Sequence, residues 1–366
     1  MPEIPKVRAC IQALQGYLPG APARDHNTVK LNQNENRYPP SPAVAEALSR
    51  AISDLSLYPD STSQLLRQVA AGLYHLQPEE VMAANGSDEM LRIFFHAFCD
   101  PGDKVAVFYP TYSYYATLAG LQGASLKTLE LEADFNLPPS LDLAGVKLVV
   151  LPNPNAPTGN LFPLAEIRRL LRSAEGAMLV VDEAYLDFAP AGTSAIPLIG
   201  EFPNLAVVRT FSKSYALAGL RLGLGFARAE VLRELEKVRD YYNLDRLAQA
   251  AGVAALSDQD WLTDTCRRMA ASRERTAEEL RNLGFTVHPS QANFLLVDTG
   301  SPVRARQLQE GLGKANVLVR HFSARRLDSC LRVSIGTDAD MYTFLGVLRK
   351  LVSAEEGAAT SQERTP

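Results

Sequence analysis

AMLVVDEA at residues 177–184 and NLAVVRT at residues 204–210 are the two segments that decide the fold class. Each is a short apolar run rich in valine, which is typical of a strand buried on both faces. Helical stretches alternate with these runs, and this alternation predicts an α/β fold with a mostly parallel sheet between helices. Four further runs follow the same pattern: EEVMAAN at 79–85, DKVAVFYP at 103–110, VKLVVLP at 146–152 and LGLGFA at 222–227.

Five polar segments follow the first five of these predicted strands along the chain. In open α/β sheets, ligands bind just beyond the carboxyl ends of the strands, so side chains from these segments can converge on one crevice. The segments are GSDEM at 86–90, TYSYY at 111–115, NPNAPTG at 153–159, DEAY at 182–185 and TFSKSYALAGLR at 210–221.

The rest of the chain predicts a second, smaller unit. The pattern is helical from residue 229 to about 281, and FTVHPSQANFLLVD, ANVLVRHF and CLRVSIGT then read as strands of an α+β domain. We therefore expect an N-terminal arm at 1–30 that is part of the small domain, a large domain at 31–260 and the small domain at 261–354. The small polar residues of 355–366 predict a disordered tail.

Composition excludes several classes of partner. Lys and Arg total 37 against 41 Asp and Glu, a formal charge of −4, which predicts no binding of nucleic acid or of an anionic membrane. The four cysteines lie far apart, the five histidines show no metal-ligand spacing, and no apolar run has membrane-spanning length. We expect a cytoplasmic protein that needs no metal.

Lys213 is the central candidate for chemistry. Its segment offers an amine that can condense with an aldehyde, neighbouring hydroxyls that can bind phosphate, and small residues that let the backbone approach a ligand closely. These are the requirements of a pyridoxal-phosphate (PLP) site. Taken alone, a lysine in a Ser/Gly loop is more often a solvated loop lysine than a catalytic one.

The segment resembles the lysine signature of class II aminotransferases, within the fold-type I superfamily of PLP enzymes. The resemblance covers residues 30 to 340, and the other motifs occur in the family's order and spacing. It implies a fold-type I PLP-dependent transferase with a large PLP-binding domain and a smaller α+β domain, in which Lys213 carries PLP as a Schiff base.

The resemblance also implies roles around the cofactor ring. Asp182 would pair with the pyridine nitrogen, and Tyr185 would hydrogen-bond the phenolic oxygen, although an N-cap and a packed aromatic are the ordinary readings of these two residues. NPNAPTG resembles the family's NPNNPTG loop, whose asparagine contacts the same oxygen. Ala156 replaces the second asparagine, which leaves Asn155 as the candidate.

By the same resemblance, a further set of residues contacts the cofactor. Gly86, Ser87 and Asp88 open an apparent helix, whose N-terminal N–H groups suit phosphate but equally suit ordinary capping. The implied phosphate cup and its surroundings comprise Gly86, Ser87, Asp88, Thr210, Ser212 and Arg221, with Tyr112 stacked on the ring and Tyr58 reaching across a homodimer interface to the partner's phosphate.

Within this class, the chain is most similar to the histidinol-phosphate aminotransferases. Tyr17, Asn36, Arg320 and Arg332 match positions that bind substrate there, and Arg332 would also receive the carboxylate of glutamate. Two arginines suit a dianionic phosphate. Arg37 departs from the family pattern near the substrate entrance. The implied reaction interconverts histidinol phosphate and 2-oxoglutarate with imidazole acetol phosphate and glutamate, by a ping-pong mechanism.

Three other functions are compatible with these motifs. An aromatic amino-acid aminotransferase would use Arg332 for the carboxylate and need no phosphate site, so Arg320 separates it from the first reading. A threonine-phosphate decarboxylase would release carbon dioxide without an amino acceptor. A PLP-sensing regulatory domain is disfavoured, because only about thirty residues precede LNQNEN at 31–36 and no basic patch is visible.

Overall fold

The computed structural model describes residues 5–14, 16 and 20–362, with side chains described through residue 355. Most of the chain forms strands and helices in alternation. The strands are β1 (Val29–Lys30), β2 (Val81–Ala84), β3 (Lys104–Tyr109), β4 (Ser125–Glu130), β5 (Val146–Pro152), β6 (Met178–Asp182), β7 (Leu205–Thr210), β8 (Gly223–Ala227), β9 (Thr286–Val287), β10 (Phe294–Asp298), β11 (Val317–Leu318), β12 (Arg320–His321) and β13 (Cys330–Ser334).

The helices cover the sheets and connect their strands. They are α1 (Ala9–Gln12), α2 (Pro42–Ala51), α3 (Gln64–Tyr74), α4 (Ser87–Phe98), α5 (Tyr114–Gln122), α6 (Leu164–Ser173), α7 (Ala229–Leu235), α8 (Arg246–Ser257), α9 (Gln259–Asn282), α10 (Pro302–Lys314) and α11 (Asp338–Gln362). Short 3₁₀ turns lie at Ile52–Asp54, Pro78–Glu80, Leu186–Phe188, Ile196–Leu198 and Ala218–Leu220. Among the described helices, none is both long and apolar enough to cross a bilayer.

A seven-stranded sheet in the order β2-β8-β7-β6-β5-β3-β4 forms the centre of the fold. All neighbours are parallel except β8, which runs antiparallel to both β2 and β7. Alternate residues of β6 pack into different cores: Leu179 and Val181 on one face, Met178 and Val180 on the other. Burial on both faces explains the continuous apolar runs in the sequence. The predicted α/β class with a mostly parallel sheet is confirmed.

The second sheet is antiparallel and has the order β12-β13-β10-β9. Its strands correspond to segments that the sequence assigns to an α+β unit, and α10 and α11 pack against each other beside it. A two-stranded parallel pair, β1 with β11, joins the N-terminal part of the chain to this region.

Three elements differ from the sequence-based expectations. Strand β4 was not predicted, because as an edge strand it is largely exposed and carries polar residues such as Lys127. Helix α7 ends at Leu235 rather than continuing to Tyr242, and the Arg239 side chain instead bonds to backbone oxygens and Asn243 in the following turns. Helix α11 continues to Gln362, into the predicted disordered tail, where alanines favour a helix.

Candidate active site

A cavity of about 760 Å³ lies at the carboxyl ends of the parallel strands, within the usual size range of small-ligand sites. All five polar segments of the sequence contribute to its wall, as does the second sheet. The residues predicted from sequence that line it are Ser87, Asp88, Tyr112, Asp182, Tyr185, Thr210, Ser212, Lys213, Arg221, Arg320 and Arg332.

Lys213 lies in the connection between β7 and β8. Its Nζ donates a hydrogen bond to the Gln33 carbonyl oxygen at 3.1 Å and lies 5.6 Å from the centroid of the Tyr185 ring. Behind the lysine, the Ser214 hydroxyl donates to Asp187, and Asp187 is also ion-paired with the buried Arg209. This polar support fixes the backbone on which the cavity-facing amine is mounted.

Asp182 ends β6 and is buried, with 6% of its surface exposed. Its Oδ2 accepts a hydrogen bond from the Tyr115 hydroxyl at 2.7 Å, and its Oδ1 accepts one from the Ala184 N–H at 3.2 Å. Burial raises the pKa of the Asp182 carboxyl to about 6, although both hydrogen bonds and the Lys213 charge oppose the shift. A neighbouring cation in the cavity would restore the ionised form.

A cradle for an anion forms where α4 begins. Gly86 precedes the helix with φ 84°, and Arg221 reaches the cradle, where its Nη1 donates to the Ser212 hydroxyl at 3.3 Å and its Nη2 to Asp88 at 3.1 Å. The helix N-terminus and the guanidinium both favour negative charge. Tyr112 borders the cradle, with its hydroxyl 3.5 Å from Asp88 and its ring edge-on to Tyr115.

Two glycines shape the cradle. Gly86 has φ 84°, a conformation that favours glycine, and a Cβ on Gly223 would lie 2.5 Å from the Gly86 carbonyl carbon, too close for any side chain. Gly223 starts β8, and nothing in its local sequence indicates this contact with a segment more than a hundred residues away. Sequence reasoning also missed Tyr115, since only the fold shows that its hydroxyl reaches Asp182.

Arg320 and Arg332 are directly opposite each other on the paired strands β12 and β13. Both guanidinium groups lie over the Phe322 ring, at 5.6 and 5.4 Å from its centroid, and both residues line the cavity. Like charges directly opposite on a sheet repel, so this arrangement is expected where an anion is to be bound.

Several predicted site residues do not face the cavity of this chain. Asn155 directs its amide nitrogen to the Pro110 carbonyl and the Thr158 hydroxyl, while the methyl group of Ala156 forms part of the wall. The Asn36 amide nitrogen donates to the Ser214 carbonyl oxygen and its oxygen accepts from the Tyr38 N–H, which ties Asn36 to the loop that carries Lys213. Among the described residues, Asn155 Oδ1 is buried without a hydrogen-bond partner. The cofactor and substrate roles of Asn155 and Asn36 stay predictions.

Two tyrosines remain from the predicted set. Tyr58 is 77% exposed and lies outside the cavity, with its ring stacked on Tyr242 at a centroid distance of 4.5 Å. Tyr17 lies outside the described residues.

Comparison with known proteins agrees with this geometry. Residues 26–348 match the model of the family described as aminotransferase class I and II. Histidinol-phosphate aminotransferases of Geotalea daltonii and Geotalea uraniireducens are each 46% identical to the chain; the alignments cover 92% and 94% of this chain and 96% and 99% of theirs. The crystal structure of histidinol-phosphate aminotransferase from Sinorhizobium meliloti in complex with pyridoxal-5'-phosphate superimposes with a TM-score of 0.87 at 27% identity, covering 96% of this chain and 99% of that one. The chain therefore belongs to the family of class I and II aminotransferases.

Proposed function

We propose that this aminotransferase uses PLP to exchange the amino group between histidinol phosphate and 2-oxoglutarate, in a ping-pong reaction. The observation that carries the substrate assignment is the pairing of Arg320 with Arg332 inside the cavity that holds Lys213. Relatives at 46% identity that are named histidinol-phosphate aminotransferases support the same assignment.

The residues present fit PLP. The cradle at Gly86–Asp88, with Ser212 and Arg221, suits a phosphate, since it combines a helix N-terminus, a hydroxyl and a guanidinium. Lys213 supplies an amine for the aldehyde. Asp182 is a buried carboxyl that gains a favourable partner when a protonated ring nitrogen is placed beside it.

Bound PLP supplies an aldehyde that takes up the substrate amine and a ring that withdraws electrons from the substrate α-carbon. The protein's part is to hold and move protons. Once its amine is released, we expect Lys213 to act as the general base that removes the α-proton, while Asp182 keeps the ring nitrogen protonated. Tyr112 would stack on the ring, and the Tyr185 hydroxyl would hydrogen-bond its phenolic oxygen.

Substrate is held at the other end of the cavity in this proposal. Arg320 and Arg332 together provide two positive charges for a dianionic phosphate, and Arg332 binds the carboxylate of glutamate in the second half-reaction. The two substrates share the site, because each leaves before the other binds.

Arg320→Ala should lower kcat/KM for histidinol phosphate by about 10- to 100-fold, since one charge-assisted contact to the phosphate is lost. Turnover of phenylalanine should change only a few-fold, because its carboxylate needs Arg332 alone. Steady-state kinetics with both amines measures the difference. Arg325→Ala is the matched control, as Arg325 is an exposed arginine nearby that is paired with Glu130. Equal losses for both amines would contradict the phosphate role.

We also propose that the active unit is a homodimer in which Tyr58 enters the partner's site. Exposed apolar side chains occur near Tyr58 in the sequence, and the exposed Tyr242 stacks on its ring, which favours an interface on this surface. The sequence neighbours are Ile52, Leu55, Leu57 and Leu65, and Tyr241 packs edge-on to Tyr242. Sedimentation at micromolar concentration should give twice the mass of one chain, and Leu57→Asp should shift the protein toward monomers. A wild-type monomer with full activity would contradict this proposal.

A further inference from the structure

Asn34 is a buried residue of the cavity wall that contacts Tyr185. The residue is 1% exposed, and its Nδ2 lies 3.0 Å from the Tyr185 hydroxyl oxygen. Its backbone has φ 57°, a left-handed conformation that asparagine tolerates better than most residues. Asn34 thus brings an amide to the edge of the cavity beside Lys213 and Tyr185.

The orientation of the Asn34 amide is fixed by Ser334 on β13. The Ser334 hydroxyl oxygen accepts from the Asn34 backbone N–H at 2.8 Å and lies 2.9 Å from Asn34 Oδ1. A hydroxyl has one proton to donate, and the Ser334 hydroxyl donates its proton to Asn34 Oδ1 while its oxygen accepts from the Asn34 N–H. With its oxygen held by Ser334, the amide presents its NH₂ group to Tyr185.

The Tyr185 hydroxyl is therefore an acceptor toward Asn34, and its own proton is directed elsewhere. The Tyr185 ring packs against an apolar cluster of Ala156, Ala292 and Phe294. The remaining direction is the cavity. Accepting one hydrogen bond also makes a hydroxyl a better donor, because hydrogen bonds in a chain polarise one another.

We propose that Asn34 is a positioning residue that holds Tyr185 as a hydrogen-bond donor toward the cofactor. The inference rests on the proposed PLP-dependent function, and it specifies where the polar support for Tyr185 comes from in this chain. Ala156 offers only a methyl group beside the Tyr185 ring. The amide that contacts the Tyr185 hydroxyl comes instead from Asn34, which is hydrogen-bonded to Ser334 on β13, the strand that also carries Arg332.

The test is a double-mutant cycle on the cofactor-loaded protein, read by the pH dependence of the bound cofactor's absorbance. The Tyr185 hydroxyl, as a hydrogen-bond donor, stabilises negative charge on the bound cofactor. Weakening this hydrogen bond therefore raises the pH midpoint at which the cofactor takes up a proton. Asn34→Gly keeps the left-handed backbone and should raise the midpoint by about half to one pH unit. Ser334→Ala, which frees the amide orientation, should raise it by less and serves as the second variant if the first does not fold.

The decisive comparison is the same change in a Tyr185→Phe background. If Asn34 acts through the Tyr185 hydroxyl, neither Asn34→Gly nor Ser334→Ala should shift the midpoint further there. No shift in the wild-type background, or equal shifts in both backgrounds, would overturn the inference and leave the proposed function standing. If the wild-type protein shows no lysine-linked cofactor absorbance at any pH, the proposed function fails and the inference with it.

Discussion

Lys213→Ala should reduce turnover of histidinol phosphate with 2-oxoglutarate by at least about 10⁴-fold, and both half-reactions should be lost together. Lys213 is the lysine among the described cavity-lining residues. In the proposed mechanism its amine is both the attachment point of the cofactor and the general base, so the substitution would remove both roles. Stopped-flow absorbance with each substrate alone separates the two half-reactions.

The control for this variant is Lys237→Ala, because Lys237 is an exposed lysine paired with Glu234 away from the cavity. It should retain full activity. Borohydride reduction followed by mass spectrometry should find the cofactor attached to Lys213 in the wild-type protein. Attachment at another lysine, or normal turnover by Lys213→Ala, would contradict the assignment.

Asp182→Asn should lower kcat by about 10³-fold, because a neutral amide of the same shape cannot hold the cofactor ring in its protonated form. The side chain keeps its size, and the Tyr115 hydroxyl can still donate to the amide oxygen. The loss should therefore appear in activity rather than in folding, and kinetics of the cofactor-loaded variant measures it.

Although Asp182→Asn should lower activity, it should increase the folding stability of the cofactor-free protein at pH 7. The pKa of the Asp182 carboxyl is about 6 in the folded chain against 3.8 for the free group, so the folded state holds the proton more tightly. Its contribution to stability falls as pH rises from about 4 to 6, and the cost at pH 7 is about 3 kcal/mol. Asp182→Asn removes this cost.

Denaturant unfolding of the cofactor-free proteins at pH 4 and pH 7 tests this prediction. The variant should be more stable than wild type at pH 7, and the difference should shrink toward pH 4. Tyr115→Phe is a control that should destabilise the protein at pH 7. Losing the Tyr115 hydrogen bond raises the pKa of Asp182 further and so increases the free-energy cost of its ionisation in the folded state. An identical pH dependence in wild type and Asp182→Asn would contradict the burial argument.

The central sheet could be predicted from sequence because its strands are buried on both faces, which leaves continuous apolar runs such as Val146–Pro152. The position of the site followed from the same reasoning, since polar segments after parallel strands meet at one edge. Edge strand β4 lacks that signal, as alternate residues face solvent. The boundary at Leu235 depends on turn contacts of Arg239 that no periodicity reveals.

Side-chain direction was the less predictable part of the site. The amide nitrogens of Asn155 and Asn36 donate to the carbonyl oxygens of Pro110 and Ser214, which are distant from them in the sequence. Asn34, two residues before Asn36, lines the cavity, and the Ser334 hydroxyl on β13 of the antiparallel sheet holds its amide. Contacts of this kind join residues hundreds of positions apart, so a single sequence gives no local sign of them. The domain boundaries and the roles of individual site residues stay predictions.

The most direct test of the central claim is to load the wild-type protein with PLP and mix it with histidinol phosphate or phenylalanine separately, without an amino acceptor, while following the cofactor absorbance by stopped flow. The paired arginines predict that histidinol phosphate converts the bound cofactor far more efficiently than phenylalanine does. A preference for phenylalanine would contradict the phosphate assignment and identify an aromatic aminotransferase, and the absence of any lysine-linked cofactor absorbance would contradict the role of Lys213.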